Sequence, residues 1–131
     1  MINYLTFTLT STLRFALYTS NSVNSITCID MSSQFQPRNP DYKARVSSSF
    51  DAQTVMQLIG ASLGEVEPGR VEIRLPYRQD LVQQDGFLHA GISSTIMDSA
   101  CGYAAFSLMP AEARVLTIEF KINLVGACSP R

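Results

Sequence analysis

Asp98 is the one formal charge between Asp85 and Glu112, in a stretch whose other residues are small, apolar or weakly polar. The chain's single histidine, His89, stands near the head of that stretch. A carboxylate in such a setting costs several kcal/mol unless it is paired, hydrogen-bonded or protonated. The segment is therefore either a membrane span with an awkward residue or a buried helix with a working one. Gly86, His89, Gly91, Ser93, Ser94, Asp98 and Gly102 break up any run of the roughly 20 apolar residues a span requires, so the buried helix is the better reading.

Helical geometry then separates two groups. His89 and Asp98 are nine positions apart, which at about 100° per residue places them on opposite sides of one helix. They cannot easily serve one site within one subunit. Two copies of the helix lying side by side would allow it, with the N-terminus of one facing the aspartate of the other. If the helix starts near Ala90, the amides of Ala90, Gly91, Ile92 and Ser93 lack intrahelical acceptors and sit at the positive end of the dipole. Such an end suits a carbonyl oxygen gaining negative charge, and Ala90 and Gly91 are small enough for a substrate to approach the backbone. Structural alternatives stand beside these readings. Ala-Gly eases close packing of helix on sheet, His89 serves as a turn or core residue, and Asp98 accepts hydrogen bonds from Ser94 and Thr95.

The remainder of the chain bounds the setting. At 131 residues, with 46% hydrophobic and 16% charged residues, it fits one domain with an ordinary core. A net charge of -1 without a Lys/Arg cluster lacks the footprint of a protein that tracks phosphate backbones, so nucleic acid is not an expected partner. Cys28, Cys101 and Cys128 lie far apart, form no C-x-x-C pair, and have no second histidine to complete a zinc set. A reducing, cytoplasmic location is expected, with Cys101 filling core space and no metal.

In chain order, residues 1–45 read as an extension outside the fold, with Met31 as a natural start and 32–45 as a flexible lead-in around Pro37 and Pro40. Ser48-Ser49-Phe50-Asp51 matches a capping box. Ala52, Val55, Met56 and Ile59 then recur on one helical face, up to a stop at Gly60. The period changes to two in 61–67 and 70–76, which flank Glu67-Pro68-Gly69-Arg70, placed as a type II turn prefers. Val71, Ile73 and Leu75 form the buried face of the second strand. After a loop, 77–88, the central helix is expected over about 90–108, stopped by Pro110. A long strand, 113–125, follows, with Leu116, Ile118, Phe120, Ile122 and Leu124 on one side, and 126–131 is an irregular tail. The order predicts an α+β fold, an antiparallel sheet wrapped around one long helix, and its three strands are few for that task.

Gln83, His89-Ala90-Gly91, Asp98, the run Ala100-Cys-Gly-Tyr-Ala-Ala and the strand Leu116-Thr-Ile-Glu-Phe-Lys-Ile-Asn together resemble the PaaI-type hotdog-fold acyl-CoA thioesterases, over roughly residues 46–125. The resemblance implies a hotdog domain in which the backbone amide of Ala90 polarises a thioester carbonyl. It implies Asp98 of the neighbouring subunit as nucleophile or as base toward water. Gln83 falls near the reacting group, His89 helps shape the pocket, and Thr117 assists the water. Gly91, Phe87 and Leu88 would contact an aryl-acetyl, aromatic or medium-chain acyl group. No cofactor is implied beyond the coenzyme A carried in the substrate, and the assembly would be a homodimer or homotetramer. Family members continue past this last strand with a proline-led loop and two further strands. A truncation or frameshift near Val125, leaving the sheet incomplete, is therefore expected. Rival readings are a non-catalytic acyl-thioester binding module, an inactive fragment, and a hydratase or dehydratase on the same fold; the last usually pairs an Asp with a His near the start of the helix, a spacing not found here.

Overall fold

A computed structural model of the chain describes the backbone of residues 4–9 and the whole of residues 35–124. The proposed start at Met31, the tail 126–131, Cys28 and Cys128 lie outside the described residues. The elements run β1 (Tyr4–Leu9), α1 (Tyr42–Asp51), α2 (Thr54–Ile59), β2 (Ser62–Glu67), β3 (Arg70–Pro76), a short 3-10 turn (Gln79–Leu81) and α3 (Ala90–Phe106). The sheet is antiparallel, in the order β1-β3-β2, and α3 lies against β3 and β1.

The hairpin forms as its pattern predicts. Gly69 takes a φ of 74°, the positive value a type II turn needs at that position. Val71, Ile73 and Leu75 are fully buried while Arg74 is exposed. These three side chains face Ile96, Met97, Ala100, Tyr103 and Phe106 of α3 in one core. Each such aliphatic side chain contributes about 1.5–3 kcal/mol by leaving water. A β-bulge interrupts β2 between Leu63 and Val66. There the Glu72 carboxylate crosses the strand pair to accept the Glu65 amide at 3.1 Å and the Arg74 guanidinium at 2.8 Å.

Three expectations fail, each for a physical reason. Residues 4–9 do not stand outside the fold: β1 pairs along β3 from Tyr4 opposite Pro76 to Leu9 opposite Val71. The lead-in is helical from Tyr42 onward, and Ser48–Asp51 form the end of α1 rather than a capping box. Asn39 Oδ1 instead accepts the Asp41 amide at 3.1 Å, the local turn an Asn-Pro-Asp sequence favours, and Val46 and Phe50, four apart, anchor the helix in the core. The expected strand over 113–125 carries no strand assignment across the described residues 113–124. Alternation fixes which side a residue faces, but a strand also requires a hydrogen-bonded neighbour, and among the described residues the backbone of 114–124 finds none.

Helix α3 begins and ends on side-chain contacts. His89 is its N-cap, and beyond the last turn the buried Ser107 hydroxyl donates to the Ala104 carbonyl at 2.7 Å and accepts the Gly69 amide at 2.8 Å. The hairpin turn is thereby tied to the C-terminal end of α3. Ser93, Ile96, Met97, Ala100, Tyr103 and Ala104 make the buried face. The opposite stripe is Gly91, Ser94, Thr95, Asp98, Cys101, Gly102 and Ala105. Among the described residues no helix is long and apolar enough to cross a membrane.

Candidate active site

The first turn of α3 leaves one donor unused. His89 Nδ1 accepts the Gly91 amide at 2.9 Å, and the His89 carbonyl takes the amides of Ile92 at 3.0 Å and Ser93 at 3.3 Å. The Ala90 amide has no acceptor among the described residues, and Ala90 is exposed. Of the four amides the sequence singled out, Ala90 is therefore the one free to bind an incoming oxygen. Gly91 is what lets the cap form, because a Cβ there would stand 3.0 Å from His89 Nδ1. His89 is thus a capping residue.

The loop before α3 is held against that end. The His89 amide donates to the Leu81 carbonyl at 2.9 Å, the Gln83 amide to the Phe87 carbonyl at 2.8 Å, and Val82 bridges Leu88. Gln83 turns its side chain back onto Asp85: Oε1 accepts the Asp85 amide, and Nε2 lies 3.5 Å from Oδ2. Phe87 is exposed, whereas Leu88 is buried in the core. Within this chain Leu88 is accordingly a packing residue and not a pocket wall.

Asp98 sits on the outer stripe of α3, partly exposed, and its Oδ1 accepts the Thr117 hydroxyl at 2.7 Å. Neither hydroxyl expected beside Asp98 reaches it: Ser94 donates to the Ala90 carbonyl at 2.8 Å and Thr95 to the Gly91 carbonyl at 2.9 Å. One step along the segment, Val115 lies against Gly102, where an added Cβ would meet its methyl at 3.6 Å. Two extended residues cover about 6.6 Å and four helical residues about 6 Å, so 115–117 runs antiparallel along the stripe in matched register. Burial pushes the nearby Cys101 thiol up, and the Asp98 charge adds to the effect.

The candidate residues thus fall into two groups, Ala90 with His89, Gly91 and the Gln83 loop, and Asp98 with Thr117. Eight residues of helix separate Ala90 from Asp98, about 12 Å of axial rise, far beyond the ~3 Å of reacting atoms. One chain does not bring them together. No group of three His, Cys, Asp or Glu side chains among the described residues is placed to hold a metal. Sequence reasoning missed Arg45, which binds the turn after α3 and whose signal in the sequence is nil.

Residues 85–130 match the model of the thioesterase superfamily. A solved thioesterase family protein from Silicibacter pomeroyi is 56% identical, with a TM-score of 0.66, over 67% of this chain and 65% of that one. Two archaeal proteins provisionally named esterases are each 30% identical: one of Halobacterium salinarum over 63% of this chain and 58% of its own length, one of Saccharolobus solfataricus over 56% and 52%. The chain thus spans little more than half the length of these curated relatives. The fold is the hotdog fold, and residues 85–130, which include α3 and Thr117, match the thioesterase superfamily.

Proposed function

We propose that the protein is an acyl-CoA thioesterase of the PaaI type, hydrolysing an aryl-acetyl, aromatic or medium-chain acyl-CoA to the free acid and coenzyme A in a site shared between two copies of the chain. The observation that carries this is the free Ala90 amide at the N-terminus of the same helix whose outer stripe presents Asp98. The thioester carbonyl oxygen accepts from the Ala90 amide. One preorganised donor of this kind is worth about 3 kcal/mol of barrier. Asp98 of a second copy takes a proton from water as it attacks the carbonyl carbon, or attacks directly to give an anhydride that water then opens. The tetrahedral adduct collapses with loss of the coenzyme A thiolate, which is reprotonated. Thr117 donates to Asp98 and fixes the orientation of its carboxylate. Gln83 joins the substrate only by leaving Asp85, and Phe87 is the exposed apolar side chain beside the entry. A cytoplasmic location, where coenzyme A thioesters occur, goes with this reading.

A second copy also accounts for the exposed row after α3. Leu116 is 86% and Ile118 95% exposed, with Phe120 and Leu124 about half exposed. A dimer or tetramer would cover such a row. The test is Asp98→Asn on an acyl-CoA panel, which is expected to abolish turnover while the chain stays folded; undiminished hydrolysis would sink the assignment.

A further inference from the structure

Arg45 reaches from α1 to the far end of α3. Its Nη1 donates to the Pro110 carbonyl at 2.8 Å and the Met109 carbonyl at 3.3 Å, and its Nη2 to the Ala113 carbonyl. The guanidinium also lies over the Phe106 ring, 3.8 Å from its centroid. These partners are three backbone carbonyls and a ring, grouped where the helix dipole is negative and the chain turns back. The backbone of 114–124 makes no hydrogen bond to another element among the described residues, so side-chain contacts alone fix its register.

We propose that Arg45 is a positioning residue for Asp98: by holding the Ala113 carbonyl it sets the register in which 114–118 crosses α3, and so delivers the Thr117 hydroxyl to the carboxylate. This rests on the reading of Asp98 as the reacting group. Ala113 and Thr117 are four residues apart, and the contacts of Val115 with Gly102 and of Thr117 with Asp98 space this stretch as an extended chain. Because side chains alternate along such a chain, a slip of one residue turns Thr117 to the opposite side and presents its neighbour instead. Those neighbours are Leu116 and Ile118, neither of which can donate to a carboxylate. Lysine could not replace the contact in full, since a single ammonium neither forks across several carbonyls nor stacks flat on a ring.

The test uses Arg45→Met and Arg45→Lys, each read by amide nitrogen relaxation and by acyl-CoA hydrolysis, with the kinetics repeated on a Thr117→Ala background. Order parameters over 114–118 are expected to fall in Arg45→Met, toward the value below about 0.6 of a mobile segment. Turnover, kcat, is expected to drop roughly tenfold with KM little changed. On the Thr117→Ala background the same substitution is expected to cost nothing further, and Arg45→Lys to fall between. Unchanged order parameters in both variants overturn the proposal, as does a loss that multiplies in full with Thr117→Ala. If Arg45→Met gives no cooperative melt, Arg45→Lys carries both measurements. Order parameters that fall in Arg45→Met, together with a wild-type chain that hydrolyses no thioester, would instead refute the thioesterase reading and leave the clamp on 114–118 standing.

Discussion

The Thr117 hydroxyl donates to Asp98 Oδ1 at 2.7 Å, joining a segment without a β-ladder to the middle of α3. On the thioesterase reading this bond orients the reacting carboxylate, so Thr117→Ala is expected to lower kcat by roughly tenfold or more. Thr117→Ser should retain most activity. Thr117 is exposed, and its loss should change unfolding free energy by less than about 0.5 kcal/mol. Steady-state kinetics and a denaturant melt on the same preparations separate the two effects.

His89 is a cap, and its substitution should read as one. His89→Ala frees the Gly91 amide and is expected to cost about 1 kcal/mol of stability. Asn, a favoured N-cap residue, should restore most of it. Equal losses for both variants in urea titrations would show that the imidazole contributes by packing instead.

Acid sensitivity should centre on the β-bulge. Burial works to raise the Glu72 carboxyl, but the Arg74 guanidinium, the Glu65 amide and the nearby arginine charges outweigh it and hold the group below the ordinary glutamate range. A carboxyl whose pKa is depressed by folding contributes its stability at neutral pH and loses it as pH falls through and below about 4.3. Glu72→Gln should therefore flatten the dependence of stability on pH in that acid range. The effect should stay below about 1 kcal/mol, because Arg74 is half exposed. Urea midpoints from pH 3 to 7, on the order of one unit apart, check this.

Cys101 reports on Asp98. Burial first, and the Asp98 charge second, keep its thiol protonated, so alkylation by iodoacetamide at pH 7 should be slow. Asp98→Asn removes the second cause and leaves the first, and should speed the reaction without bringing it to the rate of a free thiol. Mass-spectrometric time courses decide it.

The hairpin was legible because Val71, Ile73 and Leu75 alternate around a turn whose Pro-Gly pair fixes backbone angles locally. Helix α3 was legible for a related reason: its apolar residues recur at one helical face, and His89 and Asp98 fall on opposite sides of it. What the sequence could not show depends on distant partners. The residues 113–124 have a strand's alternation, yet whether they pair is decided by whether another strand's edge meets them. In β1, Leu5, Phe7 and Leu9 alternate with Thr6 and Thr8, but so short a run does not show that it pairs with β3. Nor does Arg45 signal that its charge will meet carbonyls some 65 positions away. At the candidate site the Ala90 amide was one of four equivalent donors until the His89 ring and carbonyl were seen to take the other three.

The shared site can be tested with two inactive variants. Proline is tolerated at the first helical position, and His89, at φ −62° and ψ 132°, already has the extended backbone a following proline requires. Ala90→Pro therefore removes the amide and little else. Asp98→Asn removes the carboxylate. Each variant alone should be inactive. Co-expressed, they should form hybrids in which one site has Ala90 from one chain and Asp98 from the other, restoring about a quarter of wild-type activity at random pairing in a two-fold dimer. Hydrolysis by the mixture no greater than that of either variant alone would contradict a site built across two copies.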